Sequence, residues 1–212
     1  MQNTFRKLKQ DRQDDILDAA ASVFAEMGFS GSNIPSICKR AGVSTGGLYK
    51  YFKNKEALFR AVLDRGVDII HGYYDEFEPE EGNLFDFIST LLHLQIPLSE
   101  KYRSYLIIYI DIGSYSMNPI TDYISDRAED IGRDFFSKLV DQSKARGEIR
   151  KTIDTDHAVY LIDSYVILHV YSLVSEHYRK RFDRFFSNIS ENLSNEDRIA
   201  LIIKSLRMFL EN

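Results

Sequence analysis

A single cysteine, Cys38, stands among 212 residues, so no intrachain disulfide can form and a reducing compartment is the expected setting. Prolines number 4 and glycines 11, too few for a turn-rich β architecture and suited to long uninterrupted helices. The opening stretch MQNTFRKLKQDRQDD has no apolar centre, so no signal peptide is expected. The longest charge-free stretch of the C-terminal half, Ser164–Ser175, is too short to span a bilayer, and a cytoplasmic protein without membrane association is the expectation. His71, His93, His157, His169 and His177 show neither H-x-x-x-H spacing nor cysteine partners, which argues against a metal site. A nucleophile elbow, a phosphate-cradling glycine loop and a dinucleotide fingerprint are all missing, so neither catalytic residues nor a cofactor are expected.

What the chain does have is helical patterning and an uneven charge. Overall it is 44% hydrophobic and 28% charged with net charge −5, ordinary for a globular protein. Residues 1–63, however, carry ten Lys and Arg against six Asp and Glu, net +4, whereas the remainder carries 17 against 26, net −9. A basic N-terminal quarter on an acidic body suits a local contact with a polyanion, although charge alone does not separate that from an unevenly charged solvated surface.

Within the basic quarter, Ile34–Phe52 reads as two short helices joined by a tight turn. Ile34, Ile37 and Cys38 give the first an apolar side at i, i+3, i+4, with Pro35 in its first turn, where a missing N–H costs nothing. Gly42 accepts the left-handed backbone that ends a helix, Ser44 is an N-cap, and Thr45–Phe52 supplies about two further turns. This is the outline of a helix-turn-helix, whose second helix lies in the DNA major groove. Ser44 and Thr45 place hydroxyls and N–H groups at a helix start, which favours a phosphate. Gly46 and Gly47 remove side chains where the helix would press into the groove. Tyr49 and Lys50 project toward phosphates or base edges, and a tyrosine can meet a thymine methyl. Leu48 and Phe52 read as the buried underside. Ser32 and Asn33 either touch the DNA backbone or cap the next helix. Cys38, in register with Ile34, reads as a small buried hydrophobe rather than a redox sensor.

Before this segment, Ile16, Ala20, Val23, Phe24 and Met27 share one face of a helix from Lys9 to Met27, which Gly28 stops. After it, Asn54 caps a long helix that opens at Lys55 and ends before Pro79. Residues 12–64, through ILDAAASVFAEMGF and IPSICKRAGVSTGGLYKYFKNKEALF, resemble the N-terminal domain of the TetR family of transcriptional regulators in one unbroken register. That resemblance covers about a quarter of the chain and implies a DNA-binding regulator that is not an enzyme. In it Tyr51 and Lys55 correspond to phosphate clamps. The family commonly has at most one glycine where Gly46-Gly47 stand, and alanine where Cys38 stands.

The rest of the chain stays helical: Leu84–Ile96 stopped by Pro97, Glu100–Tyr115, a longer helix through Ile124, Ile131, Phe135, Leu139 and Val140 to Gly147, His157–Tyr178, and a last helix behind a Ser194/Asp197 capping box. Its stripe is Ile199, Ile202, Ile203, Leu206, Phe209 and Leu210. The expected architecture is all-α: a helix-turn-helix domain over 1–54, a connecting helix over 55–78, and a helical effector-binding and dimerisation domain over 79–212. Tyr102, Tyr105, Tyr109, Tyr115, Phe135, Tyr160, Tyr165 and Tyr171 give the central helices polar-tipped aromatics suited to a drug-sized, largely apolar ligand. Candidate pocket residues are His93, Tyr105, Tyr109, Asp111, Phe135, Asp163, Tyr165 and His169; the two aspartates sit in apolar runs and require partners if buried. The competing reading makes the tyrosines core and the aspartates solvent-facing. By the resemblance, the last two long helices form a homodimer interface, and the dimer is a repressor of a pseudo-palindromic operator that a small effector releases. The rival from another class is a helical ligand- or partner-binding module without sequence-specific DNA binding, a reading that Gly46-Gly47 keeps open.

Overall fold

In a computed structural model, residues 3–75, 82–112, 118–186 and 193–211 are described, those of 75 and 118–129 without their side chains. Eleven helices and no strand occur among the described residues: α1 (Asn3–Arg6), α2 (Gln10–Gly31), α3 (Ile34–Ala41), α4 (Thr45–Tyr49), α5 (Lys55–Asp75), α6 (Leu84–Lys101), α7 (Arg103–Ile112), α8 (Asn118–Arg146), α9 (Thr155–Val174), α10 (Glu176–Phe185) and α11 (Asn195–Leu210). The chain gathers into two compact units, one of Met1–Gly72 with Ser104–Ser125, the other of Tyr73–Arg103 with Asp126–Asn212.

The first unit is built on the apolar face of α2. Ile16, Ala20, Val23 and Phe24 are buried as their spacing requires, together with Ile37 and Cys38 of α3, Leu48 of α4, and Leu58, Phe59 and Val62 of α5. Gly28 breaks the helical backbone at φ 67, and the turn returns Phe29 to Phe24 and Phe59, ring centroids 6.2 and 4.9 Å apart. Phe29 thereby takes the place expected of Met27, which is 46% exposed. α1 has no counterpart in the periodicity: Phe5 is fully buried, 4.8 Å from Phe52 and 5.6 Å from Tyr51 between ring centroids.

In the second unit the core joins Leu84, Ile88, Leu91 and Leu92 of α6, Phe136, Leu139 and Val140 of α8, Val159, Ile162 and Val166 of α9, and Ile199, Ile202, Leu206 and Leu210 of α11. Pro97 does not end α6, which runs on to Lys101. Its ring is exposed while Gln95 and Ser99 beside it are buried, and the Ser99 hydroxyl donates to the Ile96 carbonyl at 2.7 Å. Burial on both sides outweighs the one lost backbone bond. The helix expected over His157–Tyr178 is interrupted at Ser175, whose extended backbone separates α9 from α10. Asp154, Asn83 and the Ser194–Asp197 capping box cap α9, α6 and α11. α9 is long and apolar enough to cross a membrane by length and composition, yet its Ala158, Val159, Ile162 and Val166 are core residues. The polar stretch around Pro79, Tyr115, and the side chain of Ile124 lie outside the described residues.

Two buried polar pairs fix how the helices of this unit meet. Arg198 of α11 holds Asp183 of α10 at 2.9 and 3.0 Å, with the guanidinium 5% exposed. His169 of α9 donates from Nδ1 to Gln95 Oε1 of α6 at 2.7 Å, leaving Nε2 buried with no partner among the described residues. Burial, with the nearby charges of Arg198 and His93, lowers the His169 pKa to about 4. His93 is shifted upward, held by the Glu196 carboxylate at 2.8 Å and the Ser89 carbonyl at 2.7 Å. The unfolded chain therefore takes up a proton at His169 near its ordinary pKa of about 6.5, whereas the folded chain does so only near 4. This contribution to stability is present above about pH 6.5 and shrinks as pH falls toward 4, by at most about 1.4 kcal/mol per pH unit. His93 works with the opposite sign. Urea titrations between about pH 7 and about pH 5 are expected to show a flatter pH dependence for His169→Gln than for the unsubstituted protein; equal slopes would refute the burial of a neutral imidazole.

Candidate nucleic-acid interface

The helix-turn-helix of the first unit is held from beneath by apolar contacts and at its turns by cations. Leu48 and Phe52 are 1% and 2% exposed, and Gly42 ends α3 in the left-handed conformation at φ 62. Arg12 of α2 donates to the carbonyls of Ala41 and Gly42 at 3.1 and 3.2 Å, satisfying acceptors that a helix C-terminus leaves open. Arg40 reaches back to Glu26 and Ser22 at 2.5 and 2.6 Å.

Within this frame the expected reader residues take distinct places. Asn33 caps α3, accepting from Ser36 N at 2.9 Å, and Ser44 caps α4, accepting from Gly47 N at 3.0 Å. Thr45, Gly46, Tyr49 and Lys50 are exposed. α4 is shorter than the expected Thr45–Phe52, because the Tyr51 N–H bonds the Leu48 carbonyl at 2.9 Å and tightens the last turn. Tyr51 is half-buried against Phe5. Ser32 is turned inward, 5% exposed, and donates to the Phe29 carbonyl at 2.8 Å. Lys55 likewise donates from Nζ to the carbonyls of Phe29 and Ser32 at 2.6 and 3.0 Å and lies over the Phe29 ring. The Lys55 ammonium thus closes the loop between α2 and α3, a structural task that the resemblance did not include.

The basic residues of this quarter fall into two sets. Arg12, Arg40, Lys55 and Arg60 are engaged with carbonyls or carboxylates. Arg6, Lys7, Lys9, Lys39, Lys50 and Lys53 are exposed and have no hydrogen-bond or ion-pair partner among the described residues. An exposed tyrosine and lysine on a short, well-anchored helix, with unpaired cations around it, are the parts a major-groove reader requires.

Residues 16–62 match the family model of bacterial regulatory proteins of the tetR family. That match, over the N-terminal quarter of the chain, indicates a TetR-family DNA-binding domain. The HTH-type transcriptional repressor KstR2 of Mycolicibacterium smegmatis is 26% identical over 146 residues, 68% of this chain and 71% of the relative. The HTH-type transcriptional regulator UidR of Escherichia coli is 25% identical over 156 residues, 73% of this chain and 78% of the relative. Across the whole chain, the fold is shared with a TetR family transcriptional regulator from Chloroflexus aurantiacus, TM-score 0.69 at 18% identity, covering 100% of this chain and 98% of that one. The chain is a DNA-binding transcriptional regulator and not an enzyme.

The eight residues expected to line one effector pocket are divided between the two units. Tyr105, Tyr109 and Asp111 lie on α7, in the first unit. There Tyr105 donates to Asp18 at 2.6 Å and accepts from Arg65 Nε at 3.1 Å, while Arg65 also binds Asp14 at 2.6 Å and Asp18 at 2.9 Å. Burial, with the neighbouring Asp18, pushes the Tyr105 hydroxyl well above the usual range for tyrosine. In the second unit His93 lines an open groove of about 890 Å³ with Ile199, Ile203 and Arg207, whereas His169 is buried between α6 and α9. Phe135 packs on Tyr74 at 4.6 Å and Phe87 at 5.7 Å. Asp163 faces Gly132 across the α8–α9 approach and, behind burial itself, is the second cause holding the Tyr74 hydroxyl un-ionised. Tyr165 is partly buried against the same core. Tyr73 and Tyr74 were not anticipated; the paired tyrosines at the end of α5, past the apolar run closing at Val67, were the signal available.

The glycine pair can now be separated. A Cβ at Gly47 would stand 3.1 Å from Ser44 Oγ and disturb the cap, but a Cβ at Gly46 would meet no protein atom within 4 Å. Gly46→Ala is therefore expected to stabilise the fold by up to about 1 kcal/mol and to weaken operator binding by roughly tenfold or more, through the methyl group meeting DNA alone. Thermal unfolding and a mobility-shift titration on the same variant check this, and unchanged affinity would remove Gly46 from the DNA-facing surface.

Proposed function

We propose that this protein is a ligand-responsive repressor that works in the cytoplasm as a homodimer on a pseudo-palindromic operator. The observation that carries this reading is the exposure of Tyr49 and Lys50 on α4 while Leu48 and Phe52 anchor it from below. Thr45, Gly46, Tyr49 and Lys50 read the groove. Asn33, Ser44 and Gly47 shape the helix starts, and Tyr51 backs the phosphate contacts from its place against Phe5. Two readers addressing successive major grooves require a two-fold axis. Exposed apolar side chains on α9 and α11, among them Tyr160 at 75%, Leu168 at 42% and Met208 at 79%, support placing that axis at these helices.

The effector is a small, largely apolar molecule, and the second unit holds it. The aromatic and polar groups at α8 and α9, namely Phe135, Asp163 and Tyr165, support a site there, with the Nε2 of His169, which has no partner among the described residues, as a further polar group. An effector displaces the operator only by binding the DNA-incompetent arrangement more tightly than the competent one. It acts by shifting α5, the helix that begins beside the reader.

In a mobility-shift assay with the intergenic region flanking the protein's own gene, Tyr49→Ala is expected to weaken binding by roughly tenfold, about 1.4 kcal/mol. Retention of full affinity would sink the assignment of α4 as the reader. By sedimentation, Tyr160→Glu combined with Leu168→Glu is expected to give monomers with unchanged helical content; persistent dimers would move the two-fold axis elsewhere.

A further inference from the structure

Residues 3–9 precede the segment that the family match covers, which begins at residue 16. They nevertheless form part of the reader's own packing. Phe5 is fully buried against Tyr51 and Phe52, and Thr4 Oγ1 donates to the carbonyl of Lys50, the residue that caps α4, at 2.5 Å. The Leu8 N–H returns to the Phe5 carbonyl at 3.0 Å, and Gln13 Nε2 donates to the Leu8 carbonyl at 2.9 Å, so the arm is fastened at both ends.

Its three cations are left outside this fastening. Arg6, Lys7 and Lys9 are exposed and have no partner among the described residues. Consecutive Cα atoms are about 3.8 Å apart, which keeps the Cα atoms of Arg6 and Lys7 within about 8 Å of that of the anchored Phe5. The backbone of both therefore lies near the C-terminal end of the reading helix, where the Lys50 and Lys53 side chains are also exposed and unpaired among the described residues. Of the nearby acids, Asp14 is held by Arg65, Asp15 lies beside Arg12, and Asp11 forms no ion pair with them among the described residues.

We propose that the N-terminal arm is a second DNA-contacting element, docked on the reader through Phe5, whose Arg6, Lys7 and Lys9 bind backbone phosphates of the same duplex that α4 enters. The inference rests on the DNA-binding function of the first unit. It adds to that function a sequence-independent contact: side chains on phosphates raise affinity and fix register but do not discriminate between bases.

The probe is a fluorescein-labelled duplex selected from a random-sequence pool by the unsubstituted full-length protein, titrated by anisotropy over a series of salt concentrations. Each phosphate contact contributes about 0.9 to the slope of log affinity against log salt. Replacing Arg6, Lys7 and Lys9 together by Gln is expected to reduce that slope by about two to three, and to weaken binding to selected and unselected duplexes alike. Because all three side chains are exposed, helical content and Tm are expected to stay unchanged. Phe5→Ala, with every charge intact, is expected to lose the same part of the slope by undocking the arm. A wild-type slope and affinity in the triple variant would overturn the proposal. A wild-type slope in Phe5→Ala would overturn the docking on which it depends. If the unsubstituted protein selected no duplex at all, the DNA-binding reading itself would fall, whereas a defect confined to the variants' slopes tests the arm alone.

Discussion

The reader depends on carbonyl groups at helix ends being met by long cationic side chains from elsewhere in the first unit. A helix C-terminus leaves several carbonyls without an intrahelical partner, and a tight turn between helices offers little room for water to reach them all. Arg12 meets those of Ala41 and Gly42, and Lys55 those of Phe29 and Ser32. Each bond carries a charge, so each is stronger than a neutral equivalent and complements the negative end of a helix dipole. The consequence is geometric: α3 and α4 are fixed to α2 and α5 through groups remote in the chain. The positive charge of the N-terminal quarter is accordingly not one population. Part of it holds the turns, and only the remainder faces outward.

The same unit contains a second tie of this kind. Arg65 lies between Asp14 and Asp18 of α2, and Tyr105 of α7 completes the group. Burial alone would lower the Arg65 pKa, but the Asp18 hydrogen bond and the charges of Asp18 and Asp14 raise it instead, so the guanidinium stays charged. Such a group strongly resists loss of one member, because the remaining charges would be left partly desolvated. It also ties α7, through Tyr105, to α2 and α5 within the first unit. Gly66 allows the approach: a Cβ there would stand 3.4 Å from the Tyr105 ring.

Much of this fold was legible in the sequence, and what was not shares a physical cause. Caps are local, so Asn33, Ser44, Asn54, Asp154 and Ser194 could be read from residues three positions away. The Gly42 turn and the buried faces of α2 and α11 follow from periodicity for the same reason. Phe5 could not be read, because with Leu8 it is one of two apolar residues in a polar run and it finds its partners 46 and 47 positions later. Lys55 and Tyr105 are of types that suit ligands, and the partners they have in the fold, Phe29, Ser32 and Asp18, are 26, 23 and 87 residues distant. Pro97 misled for the opposite reason. A local rule was applied where burial of Gln95 and Ser99 overrides it.

Helix continuity sets the terms on which an effector can act on DNA. α5 runs from Lys55, which closes the reader's loop, to Tyr73 and Tyr74, which belong to the second unit. Tyr73 donates to the Leu91 carbonyl at 2.7 Å and Tyr74 packs on Phe135 and Phe136, so the far end of α5 is fixed by the very groups that surround the aromatic side of that core. α5 is an unbroken helix of 21 residues. On the function proposed above, an effector would act by repacking Tyr74 and Phe135 more favourably in the DNA-incompetent arrangement. A ligand that fills space without repacking them gains affinity equally in both arrangements and leaves the operator bound, however tightly it is held. Displacement of these rings, more than the number of contacts a ligand makes, is what separates an effector from a mere occupant.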